Sequence, residues 1–376
     1  MPFRYNLKPE GPLDATVAVV CEKPAREEVA QGRLLVGSSG SRVRRHLRRA
    51  GLNAGSEREN DYSTEVFLTN AVQSFDDPSA NPSTHDVIRE LPRLYRELCS
   101  LPRLNVIIGM GAFALRALSN LQYEDITHRR GSRLLTPFGC KFVPTFHPAY
   151  YMRGEWRYEP VVQFDVQRAI EERKWPEIRK KQRFWNIKPT FQEALNWFEA
   201  IRSSPSPWLS FDIETSQGAN GTWYISCIAL STDPTEAFCI PLMHRDRRPY
   251  WPEISTESLI WRGIADLLNQ PNRRFVTQNG AAFDTWQLRK HGITANYMSN
   301  GFDTFSAHSL LAPDLPHDLG FIVSIYTDEE YYKDESGRGQ AGFGQVSEEQ
   351  FYVYNCKDAA LTLEAALAMI KDMKEL

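Results

Sequence analysis

Two carboxylates stand one residue apart in an apolar run, and this pattern constrains the fold more than any other feature of the chain. Asp212 and Glu214 alternate with Phe211 and Ile213 in a segment that begins at Trp208. In an extended strand, side chains two residues apart point to the same face, so the carboxylates share one face and the apolar side chains the other. Buried like charges are costly unless a cation compensates them. The segment therefore predicts a strand that carries a divalent metal site.

Length and composition predict a protein of two domains without a membrane segment. The chain has 376 residues, more than a single hydrophobic core usually serves. It contains no apolar run near the roughly 20 residues that a membrane span needs and no signal-peptide pattern, so we expect no membrane partner and a cytoplasmic location. The six cysteines are scattered singly, which argues against disulfides and against a cysteine-rich zinc site.

Charge is unevenly distributed along the chain. Residues 1–187 hold 29 Lys and Arg against 22 Asp and Glu, whereas residues 188–376 hold 15 against 25. A basic first half is suited to a phosphate backbone, and an acidic second half is suited to metal ions. Ordinary solvated surface explains the same charges equally well, so charge alone does not decide between these interpretations.

Four apolar runs in the first half predict a parallel sheet. Continuous β-branched runs are typical of strands that are buried on both faces, and helical patterns separate them at about 40–51, 84–100 and 111–120. The runs occupy residues 15–20, 66–70, 105–109 and 141–147. The alternation predicts a three-layer αβα domain, in which ligands bind beyond the carboxyl ends of the strands.

The polar residues at those strand ends resemble a known family. The segments that carry the resemblance are residues 21–25, 34–40, 67–72, 107–112, 130–131 and 144–150. Over residues 12–170 they follow the order seen in uracil-DNA glycosylases and are most similar to the iron-sulfur branch. The resemblance implies that Glu22 stands where the water-activating acid does, Asn70 where the uracil edge is read, and His147 beside the charge that develops on uracil.

The chain departs from that family in ways that argue against catalysis. Cysteines that would hold a cluster are missing, because Ser74, Phe75 and Leu91 stand near the expected positions, so we expect no iron-sulfur cluster. Cys21 and Ala25 replace a glycine pair around the acid, which crowds the close approach of a base. We therefore expect a DNA-holding or structural domain, with an active glycosylase as the alternative.

A run of arginines at residues 42–49 predicts a basic helix. Five arginines fall within barely two turns, and Val43 and Leu47 form the apolar stripe between them. Arg44 and Arg48 are the candidate contacts to DNA phosphates. A solvated helix surface is an equally good interpretation, since most charge runs are no more than that.

Further acidic motifs follow the carboxylate strand. Apolar alternation at 223–230 and 237–241 predicts an antiparallel meander with that strand. Asp284 follows a turn that leads into a helix. Tyr354 and Asp358 have the i, i+4 spacing that places two side chains on one helix face, and we expect them to open the C-terminal helix.

Together these motifs make residues 188–376 resemble the DEDDy branch of 3'-5' exonucleases. The patterns D-x-E, N-x-x-x-F-D and Y-x-x-x-D agree with that branch in order and spacing. Further segments look like the exonuclease region of phage family A DNA polymerases, namely residues 303–304, 308–313, 326–327 and 332–335. The resemblance implies a ribonuclease H-like mixed sheet with helices.

Phosphodiester hydrolysis by two metal ions requires such a set of acids. Two ions about 4 Å apart need carboxylates to hold them, one ion activating water and the other stabilising the leaving oxygen. The predicted ligands are Asp212, Glu214, Asp284 and Asp358, and Tyr354 orients the attacking water. Hard oxygen ligands favour Mg²⁺ or Mn²⁺ over zinc.

Two further segments are expected to contact nucleic acid. Asn279, Phe283 and Trp286 are candidates for gripping the terminal nucleotides, because stacking on aromatic rings tolerates any base. A glycine-rich loop at 334–344 is expected to be a mobile connector, with closure over single-stranded DNA as the alternative.

We expect a uracil-DNA glycosylase-like domain at 1–172, a charged linker at 173–187 and a DEDDy exonuclease domain at 188–376. The leading hypothesis is a 3'-5' DNA exonuclease that releases mononucleotides and proofreads phage-type replication, in the cytoplasm of a bacterial host. One alternative is a bifunctional repair enzyme with an active glycosylase. Another is the front part of a longer family A polymerase. In a third, the N-terminal half docks DNA or a separate DNA polymerase, which acts in trans.

Overall fold

The computed structural model of the protein describes residues 4–58, 60–217, 222–294, 300–336 and 346–375. The chain forms two compact units, residues 1–179 and 180–376. Most of the glycine-rich loop predicted at 334–344 lies outside the described residues. Its first three residues belong to a short 3-10 helix, Lys333–Ser336.

A mainly parallel sheet forms the centre of the first unit. The strands of this unit are β1 (Tyr5–Asn6), β2 (Val17–Cys21), β3 (Val66–Asn70), β4 (Ser74–Phe75), β5 (Val106–Met110), β6 (Leu134–Leu135) and β7 (Lys141–Thr145). Over the described residues the sheet has the order β3-β2-β5-β7-β6, in which only β6 runs antiparallel to its neighbour. The short strands β1 and β4 pair separately. The predicted parallel sheet is confirmed.

Helices cover both faces of this sheet. They are α1 (Arg26–Gln31), α2 (Ser38–Arg49), α3 (Thr84–Cys99), α4 (Ala112–Leu118), α5 (Ile126–Arg129), α6 (Pro148–Tyr151) and α7 (Glu159–Glu172). Ile107 and Phe142 share an apolar core with α3 and α4. Because side chains alternate along a strand, Val106 and Ile108 point to the opposite face, where α7 packs on β5 and β7. The αβα layering is therefore also confirmed.

A mixed sheet forms the centre of the second unit. Its strands are β8 (Phe184–Asn186), β9 (Trp208–Gln217), β10 (Trp223–Asp233), β11 (Glu236–Pro241), β12 (Arg274–Thr277) and β13 (Gly301–Asp303). In the described part of the chain the order is β13-β12-β9-β10-β11-β8. Strands β9 to β11 form an antiparallel meander, while β12 runs parallel to β9 and β13 parallel to β12. This is the mixed, ribonuclease H-like arrangement that was expected. The edge strand β8 falls within the segment 173–187 that was assigned as a linker.

The helices of the second unit lie on opposite faces of the mixed sheet. In the described residues they are α8 (Phe191–Ser203), α9 (Ile254–Leu268), α10 (Asp284–Lys290), α11 (Thr304–Leu311), α12 (Leu319–Tyr326) and α13 (Glu348–Glu375). A capping box starts α8, in which Thr190 and Glu193 bond each other's backbone N–H, and an apolar stripe that includes Phe198 packs it on the sheet. The long helix α13 packs on the other face of the sheet. It starts at Glu348, whereas the sequence predicted a start at Tyr354. None of the described helices is long and apolar enough to cross a membrane.

Candidate active site

Strand β9 presents two carboxylates on one face of the mixed sheet. Exposure alternates along the strand, so that Asp212 and Glu214 are half-buried whereas Phe211 and Ile213 are buried in the core beneath α8 and α9. Antiparallel pairing sets Glu214 opposite Cys227 of β10, a residue that packs against α13. The carboxylates therefore face α13. The predicted alternation of side chains, with a period of two residues, is observed.

Helix α13 completes a cluster of three acids. Side-chain oxygens of Asp212, Glu214 and Asp358 lie within 4.8 Å of one another, in the part of the chain that the structure describes. Asn355, on the same helix, donates its side-chain N–H to Asp212 Oδ2 at 2.7 Å and to the Asp212 carbonyl at 3.2 Å. The Asn355 Oδ1 in turn accepts from the thiol of Cys239 at 3.6 Å. The amide of Asn355 thus fixes the orientation of Asp212.

Asp284 flanks this cluster at the start of α10. Its Oδ1 accepts a hydrogen bond from the backbone N–H of Ile213 at 3.0 Å, between the two carboxylate residues of β9. Asp284 is buried, and it does not belong to the set of oxygens that lie within 4.8 Å of one another. The structure therefore brings three of the four predicted acids together and places the fourth beside them.

Tyrosines line the buried side of the cluster. Tyr354 is 7% exposed and packs with Tyr332 and Leu361 in a small apolar core. Burial, and next the charge of Asp358, raise the pKa of Tyr354, so its hydroxyl keeps its proton at neutral pH. Tyr332 donates its hydroxyl to Asp358 Oδ1 at 2.6 Å. The sequence predicts no role for Tyr332, which stands there only within the segment 332–335 that resembles phage polymerases.

Lys333 is the second residue of the site that the sequence analysis missed. Its Nζ lies 2.9 Å from Oδ1 and 2.7 Å from Oδ2 of Asp358 and 4.6 Å from the ring centroid of Tyr354. Burial lowers the pKa of Lys333, but the charges of Asp358, Asp212 and Glu214 outweigh burial and raise it overall. No periodicity or spacing pairs this lysine with an acid 25 residues later in the chain.

Burial and mutual repulsion raise the pKa values of three carboxyl groups of the site, Asp212, Glu214 and Asp284. The pKa of Glu214 rises to about 8, first because the group is buried and then because of the charge of Asp358. Burial raises the pKa of Asp284 to about 7, although the N–H of Ile213 opposes the shift. Burial and the charges of Asp358 and Asp284 also raise the pKa of Asp212 well above its ordinary range. Such groups retain protons at neutral pH unless a cation compensates their charge.

The donor set fits a divalent metal ion. The converging atoms are carboxylate oxygens, which are the ligands that hard cations prefer. The ammonium group of Lys333 lies on Asp358, so the cluster already attracts positive charge. Asp212, Glu214 and Asp358 can therefore hold such an ion, with Asp284 beside them.

Aromatic side chains lie exposed next to Asp284. Phe283 and Trp286 are 42% and 59% exposed, and Phe283 directly precedes the first residue of α10. Asn279 is exposed in the preceding turn, where its φ is 55°. All three candidate contacts to nucleotides are thus accessible from solvent, and their role stays a prediction.

The structure contradicts the prediction that Arg44 contacts DNA. Arg44 is fully buried, and its guanidinium pairs with Glu10 at 2.9 Å and donates to the carbonyl of Leu35 at 3.0 Å. The prediction was wrong because α2 buries more of its surface than the apolar stripe of Val43 and Leu47. Glu10, which lies outside the helix, pairs with the buried arginine. Arg48 is exposed and donates to the carbonyl of Gly55 at 2.6 Å, so it stays a candidate.

In the first unit, Glu22 and His147 converge at Gly111. A Cβ at Gly111 would lie 2.4 Å from Glu22 Oε1 and 3.0 Å from His147 Cβ, and its φ of 93° also favours glycine. Burial raises the pKa of Glu22, and backbone N–H groups at the start of α4 oppose the shift. Burial, together with the charge of Arg153, lowers the pKa of His147 to about 4. The His147 ring is therefore neutral, with Nδ1 accepting from the N–H of Ala149 at 3.2 Å and Nε2 left as the donor.

Asn70 lies at the neighbouring strand end. Strand pairing sets Asn70 beside Cys21, and the N–H of Val72 donates to the carbonyl of Glu22 at 3.0 Å. Asn70 is 3% exposed. The three residues of the predicted glycosylase-like pocket thus lie along the carboxyl edge of the parallel sheet, and their roles stay predictions.

Comparisons with known proteins agree with both resemblances. Residues 8–164 match the family profile of the uracil DNA glycosylase superfamily, and residues 188–374 match a profile described as 3'-5' exonuclease. A curated relative, the type-4 uracil-DNA glycosylase of Thermotoga maritima, is 30% identical over 145 residues, which cover 39% of this chain and 70% of that protein.

Two solved structures that align with the chain come from an insect and a bacterium. The EXO domain of Aedes aegypti Nibbler is 16% identical with a TM-score of 0.37, and the alignment covers 49% of this chain and 86% of that one. Brucella melitensis NrnC is 15% identical with a TM-score of 0.35, over 46% of this chain and 76% of that one. From the two family profiles and the curated relative, the chain belongs to the uracil-DNA glycosylase superfamily through residues 8–164 and carries a hydrolytic 3'-5' exonuclease domain over residues 188–374.

Proposed function

We propose that the second unit is a metal-dependent DNA exonuclease that releases mononucleotides from single-stranded or frayed 3' ends. The observation that carries this proposal is the convergence of Asp212, Glu214 and Asp358, whose oxygens lie within 4.8 Å of one another. These acids come from a strand and a helix that are far apart in the chain. The raised pKa values of Asp212 and Glu214 signal an arrangement that costs stability without a cation, as functional sites often do.

Each polar residue has a role in this proposal. Asp212, Glu214, Asp284 and Asp358 hold two divalent ions, Mg²⁺ or Mn²⁺. When bound, such ions activate water and stabilise the charge on the leaving 3' oxygen. Tyr354 keeps its proton at neutral pH and orients the attacking water through its hydroxyl.

The exposed aromatic side chains suit a substrate that is read without regard to sequence. Phe283 and Trp286 offer ring faces to terminal bases, and the side chain of Asn279 offers polar contacts beside them. DNA is the proposed polymer because the same chain belongs to a superfamily of DNA glycosylases.

The first unit, in this proposal, holds DNA or docks a separate polymerase and does not cleave a glycosidic bond. Cys21 and Ala25 occupy positions around Glu22 where the resemblance expects glycine, and they narrow the approach of a base. We place its domain at residues 1–172 and the exonuclease domain at 188–376, joined by the charged segment 173–187. The biological role that we propose is proofreading during phage-type DNA replication, which the likeness of the segments within 303–335 to phage polymerases supports.

Hydrolysis of a labelled oligonucleotide tests the exonuclease directly. The full chain, given Mg²⁺ and a single-stranded DNA with a 5' label, should shorten it stepwise from the 3' end and release mononucleotides. Changing both Asp212 and Glu214 to Ala should abolish shortening, whereas Asp233→Ala, which removes an exposed acid at the end of β10, should leave it unchanged. Shortening that survives the double change would refute the assignment.

A second candidate function is uracil excision by the first unit. The observation that favours it is the convergence of Glu22 and a neutral His147 at Gly111. A uracil-bearing oligonucleotide, incubated with the variant that lacks Asp212 and Glu214, would then acquire an abasic site. That product should disappear with Glu22→Gln. If no abasic site forms even at high enzyme concentration, the interpretation of the first unit as non-catalytic holds.

A further inference from the structure

Lys333 forms the closest cationic contact that the structure describes in the acid cluster. Its Nζ contacts both oxygens of Asp358, at 2.9 and 2.7 Å, and so covers the carboxylate edge that a metal ion would use. The side chain of Lys333 is 23% exposed, whereas that of Asp358 is 6% exposed. Of the two partners, the lysine side chain thus keeps more contact with solvent than the carboxylate does.

Asp358 has a second hydrogen-bond donor in addition to Lys333. Tyr332 donates to Asp358 Oδ1 at 2.6 Å and is itself 2% exposed, so it holds the carboxylate from the buried side. The lysine is thus not required to satisfy that oxygen. A lysine on a flexible four-carbon stem can leave one carboxylate and reach another anion a few ångströms away.

The balance of charge in the site indicates which anion Lys333 would contact after it leaves Asp358. Four ionised carboxylates and two divalent ions cancel each other, which leaves a phosphodiester and the extra charge of its transition state uncompensated. Lys333 is a cation within reach of that position, because its Nζ lies 4.6 Å from the ring centroid of Tyr354, the proposed water-orienting residue.

We propose that Lys333 is a further catalytic residue of the exonuclease site, which rests on Asp358 in the metal-free protein and contacts the scissile phosphate when metal ions are bound. The inference deepens the proposed exonuclease function and rests on it. It predicts two separable effects, competition with metal ions for Asp358 and attraction of the substrate phosphate.

Lys333→Met tests both effects, because it removes the charge and keeps most of the length of the unbranched side chain. Lys333→Arg retains the charge, and Lys333→Gln serves if the methionine variant does not fold. The matched control is Lys357→Met, because Lys357 lies next to Asp358 in sequence but pairs with Glu335 at 2.6 Å. Thermal unfolding of each full-length variant checks that the fold is retained.

The first measurement is binding of Mn²⁺ alone to the full chain by isothermal titration calorimetry. Removal of a competing cation should tighten Mn²⁺ binding by about 10-fold in Lys333→Met, and leave it unchanged in Lys357→Met. The second is binding of a deoxynucleoside 5'-monophosphate in the presence of saturating Mn²⁺, which Lys333→Met should weaken.

The third measurement is single-turnover hydrolysis at saturating Mn²⁺. Lys333→Met should lower the rate by about 100-fold, as expected for the loss of one preorganised charge on a transition state, and Lys333→Arg should recover part of it. Unchanged Mn²⁺ affinity, or tighter Mn²⁺ binding with unchanged monophosphate binding and rate, would overturn the inference. If the unmodified chain hydrolyses nothing, the proposed function fails, while the Mn²⁺ and monophosphate titrations still decide what Lys333 binds.

Discussion

The backbone N–H of Ile213 donates a hydrogen bond to Asp284 Oδ1, 3.0 Å away, and so joins the start of α10 to the strand that carries Asp212 and Glu214. One side chain thereby contributes charge to the acid cluster and also satisfies a buried backbone group. Substitutions at Asp284 can separate these two contributions.

Asp284→Asn should lower the rate of DNA hydrolysis by about 100-fold without lowering stability, because the amide oxygen still accepts from Ile213 but carries no charge. Asp284→Ala should in addition lower the free energy of unfolding by about 1–3 kcal/mol, because a buried N–H loses its partner. Urea unfolding and single-turnover kinetics of both variants measure the two effects. Equal stability of the two variants would show that the hydrogen bond contributes nothing.

Asn355→Ala should weaken Mn²⁺ binding by about 10- to 100-fold, because the amide that orients Asp212 is a supporting contact of the proposed metal ligands. Asn355→Asp should weaken it less than Asn355→Ala at pH 8, because it loses the orienting N–H but adds a negative charge that attracts the cation. Asn269→Ala, an exposed asparagine at the end of α9, is the control. Calorimetric titration of the metal-free chain gives the affinities, and equal values for Asn355→Ala and the control would contradict the prediction.

Metal binding should strengthen as the pH rises from about 6 to about 9, because Glu214 and Asp284, with pKa values raised to about 8 and about 7, must release protons to bind a cation. The stability of the metal-free protein should change in the opposite direction and fall as the pH rises. The folded-state pKa lies above the unfolded value, so the stability that Glu214 contributes is lost as the pH rises from about 4.5 to about 8.

Thermal unfolding at pH 6 and pH 9 tests this prediction. Mg²⁺ should raise the Tm more at pH 9 than at pH 6, and Glu214→Gln should reduce the number of protons released when Mn²⁺ binds. A metal-induced Tm shift that does not depend on pH would show that the carboxyl groups are already ionised in the metal-free protein.

Trp286→Ala and Phe283→Ala should each weaken binding of single-stranded DNA by about 1–3 kcal/mol, since stacking of one base is worth that much. The loss should be similar for homopolymers of different bases. Ile254→Ala removes another highly exposed apolar side chain of this unit, on α9, and should have no effect. Fluorescence anisotropy with Ca²⁺ in place of Mg²⁺ measures binding without hydrolysis, and a loss confined to one base would contradict sequence-independent stacking.

Arg44→Ala should destabilise the protein by about 1–3 kcal/mol, because the buried carbonyls of Leu34 and Leu35 lose their charged donor and Glu10 keeps Arg33 as its remaining guanidinium partner. Arg45→Ala, at the adjacent exposed position of α2, should change stability by less than about 0.5 kcal/mol. Urea unfolding compares the two variants. Nearly equal stabilities would mean that the contacts of Arg33 and Ser63 suffice for Glu10 and that the buried carbonyls find other donors.

Local patterns were enough to predict the strands and the facing of their side chains. The alternation at Asp212 and Glu214 follows from the two-residue period of an extended chain, and the apolar runs of the first half follow from burial on both faces. Both properties belong to a few consecutive residues, so they can be read without knowing what packs against them. The order of the acidic motifs likewise indicated the exonuclease family before any contact was known.

Contacts between distant segments were decided only by the tertiary structure. The sequence carries no local signal that Lys333 and Tyr332 meet Asp358 or that Glu10 reaches Arg44, because these contacts join side chains from separate elements. A lysine in an acidic half and an arginine in a basic helix both look like solvated surface in the sequence. Whether such a charge is buried, paired or free depends on the packing of whole helices and strands, which a local period does not encode.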